Sequence, residues 1–417
     1  MSRRDEGGGL RLLFLLPFAP RLDAPHGGGR SLAQLIEPLS RRHRLALLCL
    51  RAPDDPPTDE ALAARCDVVE EFVQRGVGRT GLERWSRRAR LAGALASGRP
   101  MWVADTWSDE LARRIAELAA SWRPDVVQAE FHVMGQYLPV GPPARRIPAV
   151  LTEHEPGAAA GAEIARGARW AVRPLMVADA FAWKRFERRV LRSADAVVAF
   201  SERDRAVLGQ LARHDRLRVI PLTTSLPAEP LDAAGADPPT IVFVGNFIHP
   251  PNIGAARRLV DTIFPAVLAR HPDSRLELIG DRAPAWLQAG SWPGVTVTGR
   301  VPDVTPYLDR AAVVVAPLHT GGGIRVKVLE ALAHGKALVA STRAVEGIAL
   351  TDGRDYLRAD GDGAFADAVS LLLGDERRRV ELGRAAREWA EVNLGWGVTV
   401  AAYEALYAEL VVAPPRR

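Results

Sequence analysis

Cysteine is almost missing from this chain: Cys49 and Cys66 are the whole supply. Two thiols cannot build a disulfide framework or a four-thiolate zinc site, and the expected compartment is a reducing cytosol. Lysine is nearly as scarce. It stands only at Lys184, Lys327 and Lys336 among 55 lysines and arginines. The net charge is nevertheless only +5, so the excess of arginine reads as compositional bias. Without zinc-finger spacing or an aromatic RNA-binding signature, it gives no reason to expect a nucleic-acid partner. Also missing is any apolar stretch approaching the roughly 18–20 residues needed to cross a bilayer. The run "LRLLFLLPFAP" (10–20), after an "SRR" start, is short and cut by Pro17. No small-residue cleavage site follows it, so it reads as a buried first strand and not as a signal peptide.

What remains is ordinary globular composition, 47% hydrophobic and 25% charged over 417 residues, which is too long for one core and predicts two domains. Short apolar runs alternate with helical patterns. In the first half the expected strands are 11–18, 44–50, 125–130, 147–153, 194–200 and 217–221; in the second they are 240–245, 275–280, 295–299, 311–317, 336–341 and 356–359. Runs this continuously apolar are buried on both faces, as in parallel sheets covered by helices. The Pro- and Ala-rich stretch 221–240 has no apolar period and reads as a linker. The expected architecture is therefore α/β: two doubly wound, Rossmann-like domains facing across a cleft. Its expected parts are residues 1–222, a linker at 223–239, residues 240–394, and a C-terminal helix at 395–417 packing back on the first domain. Ligands of such sheets sit at the carboxyl ends of the strands, so the loops there are where chemistry is sought.

One such loop is distinctive. Positions 319–342 read "HTGGGIRVKVLEALAHGKALVAST". Gly321–Gly323 fall between an apolar run ending at Pro317 and a helical pattern expected from Ile324. Glycine lets the backbone approach a ligand closely, and a helix N-terminus favours an anion. Arg325 and Lys327 are cations in a first helical turn, where cations are unfavourable unless an anion compensates them. Positions 323, 327 and 330 share a helical face, so Lys327 and Glu330 are expected in one cleft, with diphosphate at the helix tip and ribose hydroxyls on Glu330. A surface helix with a Lys–Glu pair and a glycine turn accounts for the same spacing. In a chain this poor in lysine, the lysine at 327 suggests a site that needs a compact ammonium.

These residues resemble a known family. "GGGIRVKVLEALAHGKALVAST…AVEGI" is similar to the nucleotide-sugar-binding stretch of family-4 retaining glycosyltransferases with the GT-B fold, in the branch written GGGxRxKxLEAxAxGxPVV…EG. The likeness runs through "VFVGNFIHPPNIGAARRLVDTIFP" (242–265), "LELIGDRAP" and "VTVTGRVPDVTPYLDRAAVVVAPL", and reaches the first half in "HGGGRSLAQLIEPLSRRHRLALL", "DVVQAEFHVMGQYLP" and "VLTEHEP". It implies an acceptor-side first domain and a nucleotide-sugar-binding second domain. It also implies Glu330 on the ribose, Arg325 and Lys327 on the diphosphate, and donor contacts from Gly28, Gly29, Asn246, Gly322 and Gly323. Two departures stand out. Gly322 occupies the place where many members carry a sugar-contacting glutamate, and "GNFIHPPN" replaces an Arg–Lys pair, whose charge Arg325 and Lys327 are expected to supply.

In the first half, Gly27–Gly29 are expected to form a strand-to-helix loop before a helix at Arg30; the spacing lacks the GxGxxG dinucleotide pattern. "QAEFHVMGQ" and "LTEHEP" end two strands and bring Glu130, His132, Glu153, His154 and Glu155 together, with no spacing that demands a metal. The resemblance implies a histidine beside the donor sugar. His154 is the first choice, Glu130 the second, His132 the third, and a structural histidine is the plain alternative. The implied reaction is transfer from a nucleotide-diphosphate sugar to a glycan, lipid-linked or small-molecule acceptor with retention, needing no metal or other cofactor. A nucleotide-sugar 2-epimerase and a non-catalytic nucleotide-sugar-binding scaffold are the alternatives on this fold. Arginine interleaved with Trp and Phe at 81–98 and 166–192 suits contact with an anionic membrane face. The blander reading, an arginine-rich solvated helix surface, is preferred on sequence alone.

Overall fold

The computed structural model describes residues 9–24, 27–53, 55–74, 81–142, 146–323 and 325–412, with the side chains of 81–84 excepted. The "SRR" start, His26 and Ile324 lie outside the described residues. The chain forms two compact units. The first comprises Met1–Leu22, Leu35–Pro221 and Gly397–Arg417, the second Asp23–Gln34 and Leu222–Trp396.

The first unit is built on seven parallel strands: β1 (Arg11–Leu16), β2 (Arg44–Arg51), β3 (Val68–Val73), β4 (Val126–Glu130), β5 (Ala149–Glu153), β6 (Ala196–Ala199) and β7 (Leu217–Val219). Their spatial order is β3-β2-β1-β4-β5-β6-β7. The interior strands earn their place by burial, since Leu12–Leu16 and Leu45–Cys49 are all sealed from water and aliphatic side chains on both faces require helices on both faces. Strand β3, "VVEEFV", was not among the expected strands. It is the edge of the sheet and mostly half-exposed, and its Glu70 and Glu71 interrupt the apolar run by which a strand is recognised.

The second unit has six parallel strands: β8 (Thr240–Val244), β9 (Arg275–Ile279), β10 (Val295–Gly299), β11 (Ala311–Ala316), β12 (Leu338–Ala340) and β13 (Leu357–Arg358), in the order β10-β9-β8-β11-β12-β13. Both sheets are thus doubly wound, reversing between β1 and β4 in one and between β8 and β11 in the other.

Two helix starts differ from expectation. Gly27–Gly29 are the first turn of the Gly27–Ser40 helix and not a loop before it. A Cβ at Gly27 would lie 2.8 Å from Cβ of Val326; close approach excludes a side chain here, and helical glycine costs only about 1 kcal/mol per residue against alanine. Conversely, the helix expected from Ile324 spans Val326–Ala333. Gly321 and Gly323 have φ of +94° and +69°, and Arg325 is extended at φ −90°, ψ 98°, so left-handed backbone delays the helix.

The final helix, Trp396–Val412, lies in the first unit from Gly397 onward. Tyr403, Tyr407 and Leu410 are buried. The Tyr407 hydroxyl donates to Oε1 of Gln128 on β4, while Glu404 accepts from Arg42 at 3.0 Å. Replacing Tyr407 by alanine leaves a cavity and an unpaired buried amide, so Tyr407→Ala should destabilise the first unit by about 3–5 kcal/mol. Val398→Ala, at a side chain 79% exposed on the same helix, should cost less than about 0.5 kcal/mol. Thermal midpoints of the two variants check this, and equal midpoints would contradict the anchoring role of Tyr407.

Candidate active site

In the second unit the functional residues gather at the switch point between β8 and β11, where loops leave neighbouring strands in opposite directions and open a crevice. Gly245 ends the β8 side and Gly321–Gly323 lie on the β11 side. Lys327 reaches from the first turn of its helix to sit 4.2 Å from the centroid of the Phe243 ring, and its Nζ donates to Oδ1 of Asn252 at 2.7 Å. Gly245 makes room for this: a Cβ there would be 2.9 Å from Cγ of Asn252 and 3.1 Å from the Lys327 ammonium. Asn252 is in turn fixed by donating to the carbonyl of Asn246 at 2.7 Å, and the Asn246 side chain accepts from the backbone of Ile248 at 3.0 Å. "GNFIHPPN" is therefore a folded turn leading into the Pro250–Arg258 helix, and it presents an acceptor to the lysine.

Arg325 bends back on the glycine loop and donates to the carbonyl of Gly322. Glu330, one turn beyond Lys327, accepts from Nη2 of Arg30 at 2.9 Å. Its other oxygen, Oε2, is buried and has no hydrogen-bond partner among the described residues. Burial, followed by the charge of Arg325, pushes the Lys327 ammonium down to about 7, against an opposing pull from Glu330. His249 is lowered as well, by burial and then by Lys327 and Arg325. Arg30, Arg325 and Lys327 thus act electrostatically on one spot that holds a single carboxylate. An anion placed there relieves both the desolvation of Lys327 and the mutual repulsion of the cations.

In the first unit the corresponding switch point lies between β1 and β4. Glu130 ends β4 and, though 1% exposed, holds Nε2 of His154 at 2.7 Å. Gln128 donates to the same carboxylate and receives Tyr407, so a chain of hydrogen bonds runs from the C-terminal helix to His154. Phe131 stacks on the His154 imidazole at 3.6 Å and 10° between planes, and Phe200 meets it edge-on at 4.7 Å. Phe131 does so with φ of +65°, a left-handed conformation costly for a bulky residue. In the tautomer whose Nε2–H donates to Glu130, Nδ1 of His154 carries the lone pair.

His132 lies deeper. Its Nδ1 is 3.2 Å from Glu153 and 3.0 Å from the carbonyl of Glu155, with Trp183 edge-on at 4.8 Å. Burial works against the imidazolium, but the hydrogen bond and charge of Glu153 prevail and raise its pKa. Glu187 is pushed up to about 7 by burial and by Glu153, and it accepts from the backbone of Gly157 and Ala158 at 2.8 and 2.9 Å. This lower layer ties the loop after β5 to the helix behind it, which is a positioning role.

The structure therefore brings Asn246, Gly322, Gly323, Arg325, Lys327 and Glu330 to one switch point and Glu130 and His154 to the other. Gly28 and Gly29 lie in the first turn of the helix that carries Arg30. Three residues were missed: Phe243, Asn252 and Arg30. Phe243 and Asn252 stand inside a quoted motif, but nothing in their identity announces a contact with Lys327. Arg30 directly follows the triple glycine, the one local signal available. Among the described residues no group of three His, Cys, Asp or Glu side chains is arranged to hold a metal ion.

The lowered pKa has a signed consequence. Between about 7 and 10.5 the native lysine binds fewer protons than the unfolded one, so its unfavourable effect on stability eases as pH rises through that window. An anion that restores the ammonium must bind with proton uptake above pH 7. Pyrophosphate affinity should then fall as pH is raised from 7 to 9, with a slope approaching −1 in log K against pH. Calorimetry in buffers of different ionisation enthalpy should register the proton, and Lys327→Met should abolish both effects. A pH-independent affinity in the unaltered protein would refute the assignment.

Comparisons with known proteins bear on the fold and on the class of chemistry. A family model described as Glycosyltransferase Family 4 matches residues 25–224, and one described as Glycosyl transferases group 1 matches residues 238–375. No curated protein matches the sequence significantly. Among solved structures, the chain is similar to a sucrose-phosphate synthase from Thermosynechococcus elongatus, with a TM-score of 0.70 and 19% identity over 97% of this chain and 100% of that one. It is also similar to HepE of Anabaena in complex with UDP and glucose, at 0.65 and 14% over 96% and 100%. A glycosyltransferase from Rickettsia africae matches at 0.59 and 13% over 97% and 100%. At these identities the structural likeness speaks for the fold, and the family models speak for the chemistry. With two doubly wound units that carry one such match each, the chain is a glycosyltransferase of the GT-B fold.

Proposed function

We propose that the protein transfers a hexosyl group from a nucleotide-diphosphate sugar to an acceptor hydroxyl with retention of anomeric configuration. The observation that carries the reading is the half-buried Lys327, its ammonium held over Phe243 at the β8–β11 switch point and surrounded by more cation than anion. A diphosphate supplies the missing charge. The helix tip at Val326 and the guanidinium of Arg325 add donors to it, and the open oxygen of Glu330 accepts from a ribose hydroxyl. Gly322 and Gly323 keep side chains out of the path of the donor, with Gly28, Gly29 and Asn246 assigned to the same donor. That HepE was solved with UDP and glucose supports this ligand class.

In the proposed reaction the bond from the anomeric carbon to the diphosphate oxygen breaks, and the acceptor oxygen bonds to that carbon on the same face. The acceptor proton passes to the departing phosphate oxygen. No covalent enzyme intermediate is formed and no cofactor beyond the nucleotide sugar is used. Lys327 and Arg325 stabilise charge that grows on the diphosphate as the bond lengthens, the kind of preorganised electrostatics that accelerates such steps. His154, fixed by Glu130 and Phe131, orients sugar hydroxyls through Nδ1.

A thermal-shift panel of UDP-, GDP-, ADP- and dTDP-sugars tests the donor class: one base should raise the melting temperature. Lys327→Met should weaken that donor roughly 10- to 100-fold, the worth of a charge-assisted hydrogen bond. Glu330→Gln should weaken nucleoside diphosphates while sparing pyrophosphate. An inverted product anomer by NMR would exclude retention, and a panel with no stabilising sugar would exclude the donor class.

A further inference from the structure

In the first unit the Gly157–Gly167 and Arg173–Ser193 helices turn back on each other through residues 168–172. One side of this pair is core: Ala165, Ala182, Trp183, Phe186 and Val190 are all buried. The other side is unusual for a solvated surface. Trp170 is 88% exposed, Phe181 71% and Ile164 60%, and Val172, Leu175 and Val177 are exposed with them. Single exposed apolar side chains need no explanation, but six gathered on one hairpin do.

Their neighbours are all of one sign. Arg166, Arg169, Arg173, Lys184 and Arg185 are exposed, and no exposed residue from 159 to 185 is acidic. The two acids of that stretch face inward or sideways: Asp179 accepts from the backbone of Met101 at 2.7 Å, and Glu163 is half-buried. Between the helices runs an apolar groove of about 300 Å³ lined by Ala158, Ala162, Ala165, Val177 and Phe181, with Arg166, Arg173 and Lys184 also on its wall. The groove is too small for a folded segment but suits the end of an acyl chain.

We propose that this hairpin is a docking surface for a lipid bilayer containing anionic lipid, with Trp170 and Phe181 inserted at headgroup depth and the cations on lipid phosphates. Charge complementarity favours a bilayer over a protein. The exposed charges from 159 to 185 are all positive, which matches the uniformly negative surface of a bilayer containing anionic lipid. At a bilayer the stems of Arg and Lys lie along apolar surface while their heads stay with phosphate and water. Tryptophan at the tip is the residue type that membrane interfaces concentrate. The docking does not depend on the donor reading and requires no nucleotide sugar.

The test is co-sedimentation of the full chain with phosphatidylcholine vesicles, with and without phosphatidylglycerol. Binding should need phosphatidylglycerol and weaken with salt. Arg166→Gln combined with Arg173→Gln should lower the partition coefficient about tenfold or more, given the contribution of each surface cation. Trp170→Ser combined with Phe181→Ser should lower it comparably. All four positions are exposed, so unchanged thermal midpoints will separate lost docking from lost folding. Equal binding to both vesicle types, or binding that survives both double variants, would overturn the proposal. So would concentration-dependent dimerisation that vanishes in Phe181→Ser while vesicles stay unbound, which would assign the patch to a second copy of the chain.

Discussion

A parallel sheet can be closed only by crossovers, and crossovers must change direction somewhere if both faces are to be covered. That constraint shapes each unit of this protein. Where the winding reverses, two loops diverge and the carboxyl ends of two adjacent strands are left uncovered. The six-stranded sheet sets Lys327 at that gap, and the seven-stranded sheet sets Glu130 and His154 at its own. The buried strands thus define where a side chain can be held rigidly yet remain reachable. The candidate site residues are concentrated at those two places.

Each gap keeps a polar side chain away from water and holds it from behind. Lys327 is desolvated and repelled by neighbouring cations, but Phe243 and Asn252 hold its ammonium in place. Glu130 is a sealed carboxyl group that engages His154 and Gln128, with Phe131 stacked on the imidazole. Deeper in the unit, His132 stands between Glu153 and Glu187, favoured as imidazolium by both carboxyl groups while Glu153 pushes Glu187 up. Groups held this way are prearranged, so a ligand meets them without a large reorganisation of its own.

Much of the fold was legible in the sequence because buried parallel strands are written as uninterrupted aliphatic runs. Edge strand β3 escaped because half of it faces water and carries two glutamates. The helix starts near residues 27 and 326 were misread for opposite reasons. Gly27–Gly29 are helical, and at Gly27 close approach to Val326 leaves no room for a side chain, whereas Gly321 and Gly323 are left-handed and hold the next helix back. Glycine announces backbone freedom without saying which conformation will use it. At the site, the rarity of lysine singled out position 327, and the motif around it supplied Arg325 and Glu330. Phe243, Asn252 and Arg30 could not be read in advance. Their roles come from a strand and helices that are distant in sequence and that only the fold brings together, and Arg30 meets a carboxylate 300 positions away.

The bond from Tyr407 to Gln128 spans 279 positions of the chain and joins the last helix to the first unit's central strand. That unit is therefore interrupted in sequence by nearly all of the second one. During synthesis the seven strands emerge early, but the amide beside Glu130 has no tyrosine to meet until the Trp396–Val412 helix has been made. Folding of successive domains normally proceeds from the N-terminus as each is completed. Here the order is inverted for one layer: the second unit can finish first, and the setting of His154 is completed last. A chain released early would carry its anion cradle intact while lacking the final hydrogen bond behind its histidine, so the protein acquires its two halves of chemistry at different moments of its own translation.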